Sequence, residues 1–137
     1  MKNILYNILG VFLVLSITAC YMVGDNKMKP ISGASSFYLS DADFNSTKEK
    51  ALSGNAKAAF QIYKHYAMGK GDIISSFPWL QIAANGKDVD AQYTLGYTYA
   101  YVNLFKNIPL ARFWLNEALK NGSIRAKELL RDIINYE

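Results

Sequence analysis

The stretch from Pro78 to Gly96, "PWLQIAANGKDVDAQYTLG", decides the fold, because the chain contains a second copy of it. From Phe113 to Arg131 the sequence reads "FWLNEALKNGSIRAKELLR". Apolar residues recur 35 positions apart in the two copies: Trp79 and Trp114, Leu80 and Leu115, Ala83 and Ala118, Ala91 and Ala126, Leu95 and Leu130. Within each copy they follow a helical period that a glycine interrupts. The pattern predicts a repeated unit of two antiparallel helices.

A weaker copy precedes these two. It lies 33 residues earlier and pairs Ala58 with Ala91, Ile62 with Leu95 and Tyr66 with Tyr99. The turn glycines align less well, since Gly54, Gly86 and Gly122 match only after shifts of one residue. One helix pair cannot bury its apolar face alone, so the copies must stack. We therefore expect an all-α fold, a short α/α repeat solenoid of about six helices.

Capping residues and helix breakers divide the chain into these helices. The expected helices run from Ser40 or Asp41 to Leu52, from Asn55 to about Met68, from Phe77 to Asn85, from Asp88 to about Tyr101, from Asn107 to Asn121 and from Ser123 to about Asn135. The stretch "GKGD", residues 69–72, is expected to form a turn. Pro78 is expected in the first turn of its helix, where a missing N–H donor is tolerated. No run of alternating apolar and polar residues predicts a strand.

The first twenty residues have the pattern of a secretory signal. Lys2 is followed by the apolar run Ile8–Leu15 and then by small residues, as export and cleavage require. An uncleaved anchor is the alternative, because Ile4–Val23 is about as long as a helix that crosses a bilayer. The tetrapeptide Ile17-Thr18-Ala19-Cys20 resembles the lipobox of bacterial lipoproteins. That resemblance implies cleavage before Cys20, a diacylglycerol on its sulfur and acylation of the new amino terminus.

These features divide the chain into a signal peptide (1–19), a lipidated cysteine with a flexible tether (20–40) and a helical repeat domain (41–137). Glycine, proline and serine break any helical period in the tether. Its tail, Phe37-Tyr38-Leu39, is expected to dock on the domain. Tyr21 stands where Asp would favour the inner membrane in enterobacterial lipoproteins. The same resemblance therefore implies an anchor in the outer membrane of a bacterial envelope, facing the periplasm.

The repeated residues resemble the Sel1-like repeat family, relatives of the tetratricopeptide repeats. "AQYTLGYTY" (91–99) is similar to the first helix of the family's unit, and "WLQIAANG" (79–86) and "ARFWLNEALKNG" (111–122) are similar to its second. The resemblance covers about residues 51–134 and implies a stack that binds proteins through one curved face. Two features depart from the family pattern. Tyr63 stands where the family has Gly, and the loop 100–108, "AYVNLFKNI", lacks a Gly-rich turn.

The composition offers little for catalysis. The chain has 137 residues, one His and one Cys, too few for a metal set or an internal disulfide. The sequence contains no nucleophile-elbow motif with which His65 could act. Asp88 and Asp90 lie at a helix start, where carboxylates interact favourably with the helix dipole. The net charge of +4 comes from scattered lysines, whereas a nucleic-acid site would cluster them. We expect no enzyme activity, no cofactor, no metal and no nucleic-acid partner.

The candidates for partner binding are first-helix positions that the repeat pattern does not use. They are Gln61, Lys64, His65, Gln92, Thr94, Tyr97 and Tyr101. Tyrosine suits interfaces because it combines apolar area with a polar tip. Alternatively, Tyr97 and Tyr101 only cover the edge of a small core.

The expected function is a membrane-anchored periplasmic module that binds a protein partner without catalysis. A sharper form is an immunity protein that neutralises a secreted, type VI phospholipase-like toxin, since small envelope lipoproteins and some Sel1-like proteins resemble such inhibitors. A third hypothesis is an envelope protein that binds peptidoglycan or other glycans. That hypothesis needs Trp79 or Trp114 to be exposed.

Overall fold

A computed structural model of the protein describes residues 34–134, and that part of the chain is all-helical, without a strand. Its six α-helices are α1 (Asp41–Leu52), α2 (Ala56–Lys64), α3 (Ile73–Asn85), α4 (Val89–Tyr101), α5 (Ile108–Lys120) and α6 (Ile124–Ile134). A π-helical turn, His65–Lys70, continues α2, and 3₁₀ turns span Ala34–Phe37 and Asn103–Phe105. The expected signal peptide, the expected lipidation site Cys20 and the expected tether up to residue 33 lie outside the described residues.

Five of the helices begin at a side chain that accepts a backbone N–H three residues later. The pairs are Ser40 with Asp43 (3.2 Å), Asn55 with Ala58 (3.0 Å), Asp72 with Ser75 (2.9 Å), Asp88 with Ala91 (2.9 Å) and Asn107 with Leu110 (3.0 Å). Each cap satisfies a donor that the first turn leaves unpaired. At Asp72 the bond from the Ser75 N–H lowers the pKa of the carboxyl below its ordinary value of 3.8.

The start of α3 differs from the sequence-based prediction. We predicted a turn over residues 69–72 and a helix from Phe77, but the π-helical turn reaches Lys70 and α3 begins at Ile73. The prediction was wrong because Asp72 already supplies a cap and Gly71 adopts a left-handed φ of 70°. Pro78 therefore lies inside α3 rather than in its first turn.

The turns between α1 and α2, α3 and α4, and α5 and α6 share one geometry. Each contains a residue with positive φ: Gly54 (97°), Lys87 (64°) and Gly122 (101°). These positions lie 33 and 35 residues apart, so the counterpart of Gly122 is Lys87, not Gly86 as the sequence alignment suggested. Gly86 is needed for a different reason, because a Cβ there would lie 2.6 Å from the Cβ of Ala56.

The core consists of small and aliphatic residues from all the helices. Ala58, Ala91 and Ala126, predicted to let neighbouring helices approach, are all buried. Gly96 brings α4 against α5, because a Cβ at this position would lie 2.6 Å from Cγ of Leu115. Consecutive helices pack on one another along the chain. Small residues therefore set the spacing of the helices where Gly86 meets Ala56 and where Gly96 meets Leu115.

Trp79 and Trp114 were predicted to be core residues. Both are half-buried and pack against the core. The ring of Trp114 also meets that of Phe113 edge to face, with centroids 5.1 Å apart.

Candidate functional site

An apolar groove of about 240 Å³ lies between α2 with its π-helical turn, α3 and α4. It is lined by Tyr63, Ala67, Met68, Ile73, Ser76, Phe77, Leu80, Thr94, Tyr97, Thr98 and Val102. None of these lining residues carries a charge at neutral pH. Concave, mostly apolar sites with a few polar groups are where proteins usually bind ligands and peptides.

The floor of the groove is closed to water. Leu80 is fully buried, and Ser76 beside it donates its hydroxyl to the carbonyl of Ile73 at 2.7 Å. Thr98 donates in the same way to the carbonyl of Thr94 at 2.8 Å. Both hydroxyls donate to carbonyl groups of their own helix, so a ligand need not supply hydrogen-bond acceptors for the groove floor.

The rim, by contrast, exposes large apolar side chains. Met68, Ile73 and Tyr97 are 42%, 50% and 47% exposed. The ring of Tyr97 lies 5.0 Å from that of Tyr101, which flanks the groove on the same helix. Exposed aromatic and methionine side chains around a dry floor are typical of protein-binding surfaces.

The structure brings together only part of the predicted set. Thr94 and Tyr97 line the groove and Tyr101 neighbours it. Gln61 is exposed and Lys64 is half-buried, but neither lines the groove. The Nζ of Lys64 lies instead 5.1 Å from the ring centroid of Phe60, as a cation–π contact on α2.

His65 lies in the interior, although we predicted it on the binding surface. It is 2% exposed, and its Nδ1 accepts the backbone N–H of Leu39 at 2.9 Å. Burial and the nearby Lys70 lower the pKa of this imidazole below 6.5, while Asp41 opposes the shift. In this structure His65 therefore holds the chain segment before α1 rather than facing a partner.

Gln92 is likewise 2% exposed. Its amide donates to the carbonyl of Ala84 at 3.3 Å, and its Oε1 accepts from the amide of Asn121 at 2.9 Å. These bonds join the ends of α3 and α5 to α4. Gln92 was predicted as a partner-binding residue, but its buried side chain links three helices instead.

Nine of the eleven residues that line the groove were missed by sequence reasoning, among them Tyr63, Met68 and Phe77. The sequence signal that could have revealed the groove is Tyr63, which stands where the family pattern has Gly. The counterpart residue in α4 is Gly96, which lies against Leu115 with no room for a side chain. Tyr63 instead has a large side chain that lines the groove. Burial raises the pKa of its phenol above 10.0.

Other sequence candidates have structural partners. Asp88 caps α4, as predicted, and Asp90 pairs with Arg125 at 2.6 Å. Within residues 34–134, no group of three His, Cys, Asp or Glu side chains could hold a metal ion. In the same range, no helix has the length and apolar character required to cross a membrane.

Comparison with known proteins gives one distant similarity. The chain is 28% identical over 106 residues to the uncharacterized protein YibG of Escherichia coli (strain K12), which covers 74% of this chain and 69% of that protein. No protein-family model matches the sequence, and no solved structure matches it. The resemblance to Sel1-like repeats therefore remains a hypothesis.

Proposed function

We propose that the protein is a non-catalytic protein-binding module of Sel1-like repeats, held at the periplasmic face of the outer membrane by a lipid on Cys20. The observation that carries the proposal is the uncharged groove between α2, α3 and α4, with exposed Tyr97 and Met68 at its rim. The anchor rests on the lipobox-like residues Ile17–Cys20 alone.

Recurrent local geometry supports the repeat architecture. The caps Asn55 and Asp88 begin α2 and α4, and lie 33 residues apart. The caps Asp72 and Asn107 begin α3 and α5, and lie 35 residues apart. The left-handed turn positions recur at the same two intervals. A sequence repeat that also repeats its caps and turns is what stacked helix pairs require.

The partner that fits the groove is an uncharged protein segment with aliphatic or aromatic side chains. A charged side chain entering it would lose its hydration without meeting an opposite charge, because no lining residue is ionised. An apolar side chain would displace water from half-buried Phe77 and exposed Met68 and gain about 25 cal/mol for each Å² it buries. The rim tyrosines can add hydrogen bonds at the edge.

Site-specific photocrosslinking in the intact envelope tests this proposal. A photoreactive amino acid replaces Tyr97 in the full-length chain, and a control replaces Phe113, an aromatic residue of similar exposure (53%) that does not line the groove. We expect one defined protein adduct from position 97 and none from position 113. In a purified complex, Tyr97→Ala should weaken binding by about 10- to 100-fold, and Phe113→Ala by less than about twofold.

The identity of the adduct decides between the functional hypotheses. A secreted toxin crosslinked at position 97 would specify an immunity role. Equal adducts from both positions, or none from either, would contradict the groove as the binding site. The glycan hypothesis has less support, since Trp79 and Trp114 are half-buried against the core rather than exposed.

A further inference from the structure

The segment before α1 is held on the domain by a hydrogen bond, by a close backbone contact and by Leu39, which is half-buried against the core. The N–H of Leu39 donates to Nδ1 of His65 at 2.9 Å. Gly69 lies under the same segment, and a Cβ there would be 3.3 Å from Cα of Tyr38 and 3.4 Å from the Phe37 carbonyl oxygen. The contact therefore needs a glycine on the π-helical turn and an acceptor on His65.

Aromatic rings enclose the imidazole. The ring centroids of Tyr38, Phe44 and Tyr66 lie 4.9, 5.0 and 5.4 Å from that of His65. Two charged groups face it from the elements packed around it: Lys70 on the π-helical turn and Asp41 at the start of α1. The surroundings are thus mainly apolar, and the two nearby charges have opposite effects on the pKa of His65.

The direction of the hydrogen bond determines the protonation state. A backbone N–H can only donate, so Nδ1 of His65 must carry its lone pair and the proton must lie on Nε2. Adding a second proton at Nδ1 would set two donors against each other and remove the bond to Leu39. It would also place a cation among three aromatic rings and near Lys70, in a site that excludes water.

We propose that His65 is a pH-sensitive latch, which holds residues 37–39 on the domain while its imidazole is neutral and releases them when it is protonated. Release frees three residues before α1, and a lipid-anchored tether would gain about 10 Å of extended reach. It also uncovers Gly69, which adjoins Met68 on the rim of the groove. The latch does not depend on the proposed partner or anchor.

The sign of the pH dependence follows from the lowered pKa. His65 takes up its proton more readily when undocked, so acid favours release. Docking is at full strength above pH 6.5, the ordinary pKa of the side chain, and weakens as the pH falls through the lower pKa of the docked state.

Hydrogen exchange of the full-length protein in detergent micelles tests the latch. We expect the amides of residues 37–39 to lose protection by at least about tenfold between pH 7.5 and pH 5, after correction for intrinsic exchange. Amides of α4 and α5 should keep theirs. Unchanged protection of residues 37–39 across this range would overturn the proposal.

Two substitutions separate titration from packing. His65→Asn keeps an acceptor oxygen near the place of Nδ1 but does not titrate, so the segment should stay protected at both pH values. His65→Leu keeps the bulk without the acceptor, and the segment should be unprotected at both. A pH dependence in His65→Asn equal to that of the wild type would assign it to another group.

An NMR titration of the unmodified protein tests the latch without a substitution that could impair folding. His65 is the chain's only histidine, so its imidazole resonances are unambiguous in an NMR titration. The amide shift of Leu39 should follow the His65 titration with the same midpoint, below pH 6.5. Separate midpoints would show that the two groups are not coupled.

Discussion

Single residues set how closely the helices of this small domain approach. The lack of a side chain lets Gly86 contact Ala56 at the start of α2, lets Gly69 contact the backbone of Tyr38, and lets Gly96 contact Leu115. None of the three has a positive φ, so the lack of a side chain matters here rather than backbone freedom. Close packing makes such interiors sensitive to a single added methyl group.

Gly96→Ala should destabilise the protein for this reason. The new Cβ would lie 2.6 Å from Cγ of Leu115 and 3.2 Å from its backbone N, which cannot rotate away. Alanine gains about 1 kcal/mol in helix propensity over glycine, but overpacking typically costs about 1–3 kcal/mol. We expect a net loss of up to about 2 kcal/mol, measured as the free energy of unfolding in urea.

A double-mutant cycle assigns that loss to the contact. Leu115→Ala removes the two side-chain atoms nearest the new methyl group, Cγ and Cδ2, so Gly96→Ala should cost less in this background than in the wild type. A Gly96→Ala protein at least as stable as the wild type would mean that α4 and α5 separate easily, against the packing described here.

At the scale of elements, the caps explain how much of the fold could be predicted. Ser40, Asn55 and Asn107 are short polar residues directly before apolar periods, and each caps the helix that was expected to follow it. The start of α3 was missed because Pro78 is a stronger sequence signal than Asp72. The π-helical turn was missed because no local residue pattern distinguishes it from an α-helical end.

Two neighbouring carboxylates at the start of α4 allow a matched test of capping. Asp88 accepts the Ala91 N–H at 2.9 Å, whereas Asp90 makes an exposed ion pair with Arg125. Asp88→Ala should lower the free energy of unfolding by about 1 kcal/mol, and Asp90→Ala by less than about 0.5 kcal/mol. In 1 M NaCl the effect of Asp90→Ala should vanish, because salt screens exposed ion pairs. Most of the effect of Asp88→Ala should remain, because it comes from a hydrogen bond and only in part from the helix dipole. Equal losses would show that the cap does not start the helix.

At the scale of the molecule, the groove illustrates what a single sequence leaves out. Its walls combine Tyr63, Ile73 and Tyr97 from three helices, and their meeting depends on how the pairs stack. Helical periodicity identified the free positions Thr94 and Tyr97 but could not place them against another helix. The same limit explains His65 and Gln92, whose burial results from the chain segment before α1 and the end of α5.

Attachment to the membrane is the property on which the rest of the proposed function depends, and Cys20 decides it. If Cys20 carries the lipid, the wild type should incorporate a labelled fatty acid and lose residues 1–19. Cys20→Ala should then incorporate none and accumulate as the uncleaved precursor, because the cleavage step requires the modified thiol. Labelling in cells, followed by membrane fractionation and mass determination, measures both outcomes. Tyr21→Phe is the matched control, since it alters the adjacent residue without touching the thiol, and it should be labelled like the wild type.

The uncleaved-anchor alternative makes the opposite prediction. Because Ile4–Val23 is about long enough to cross the hydrocarbon core as a helix, both proteins would then remain in the membrane uncleaved. Their masses would differ only by the sulfur atom that Cys20→Ala removes, and neither protein would carry the label.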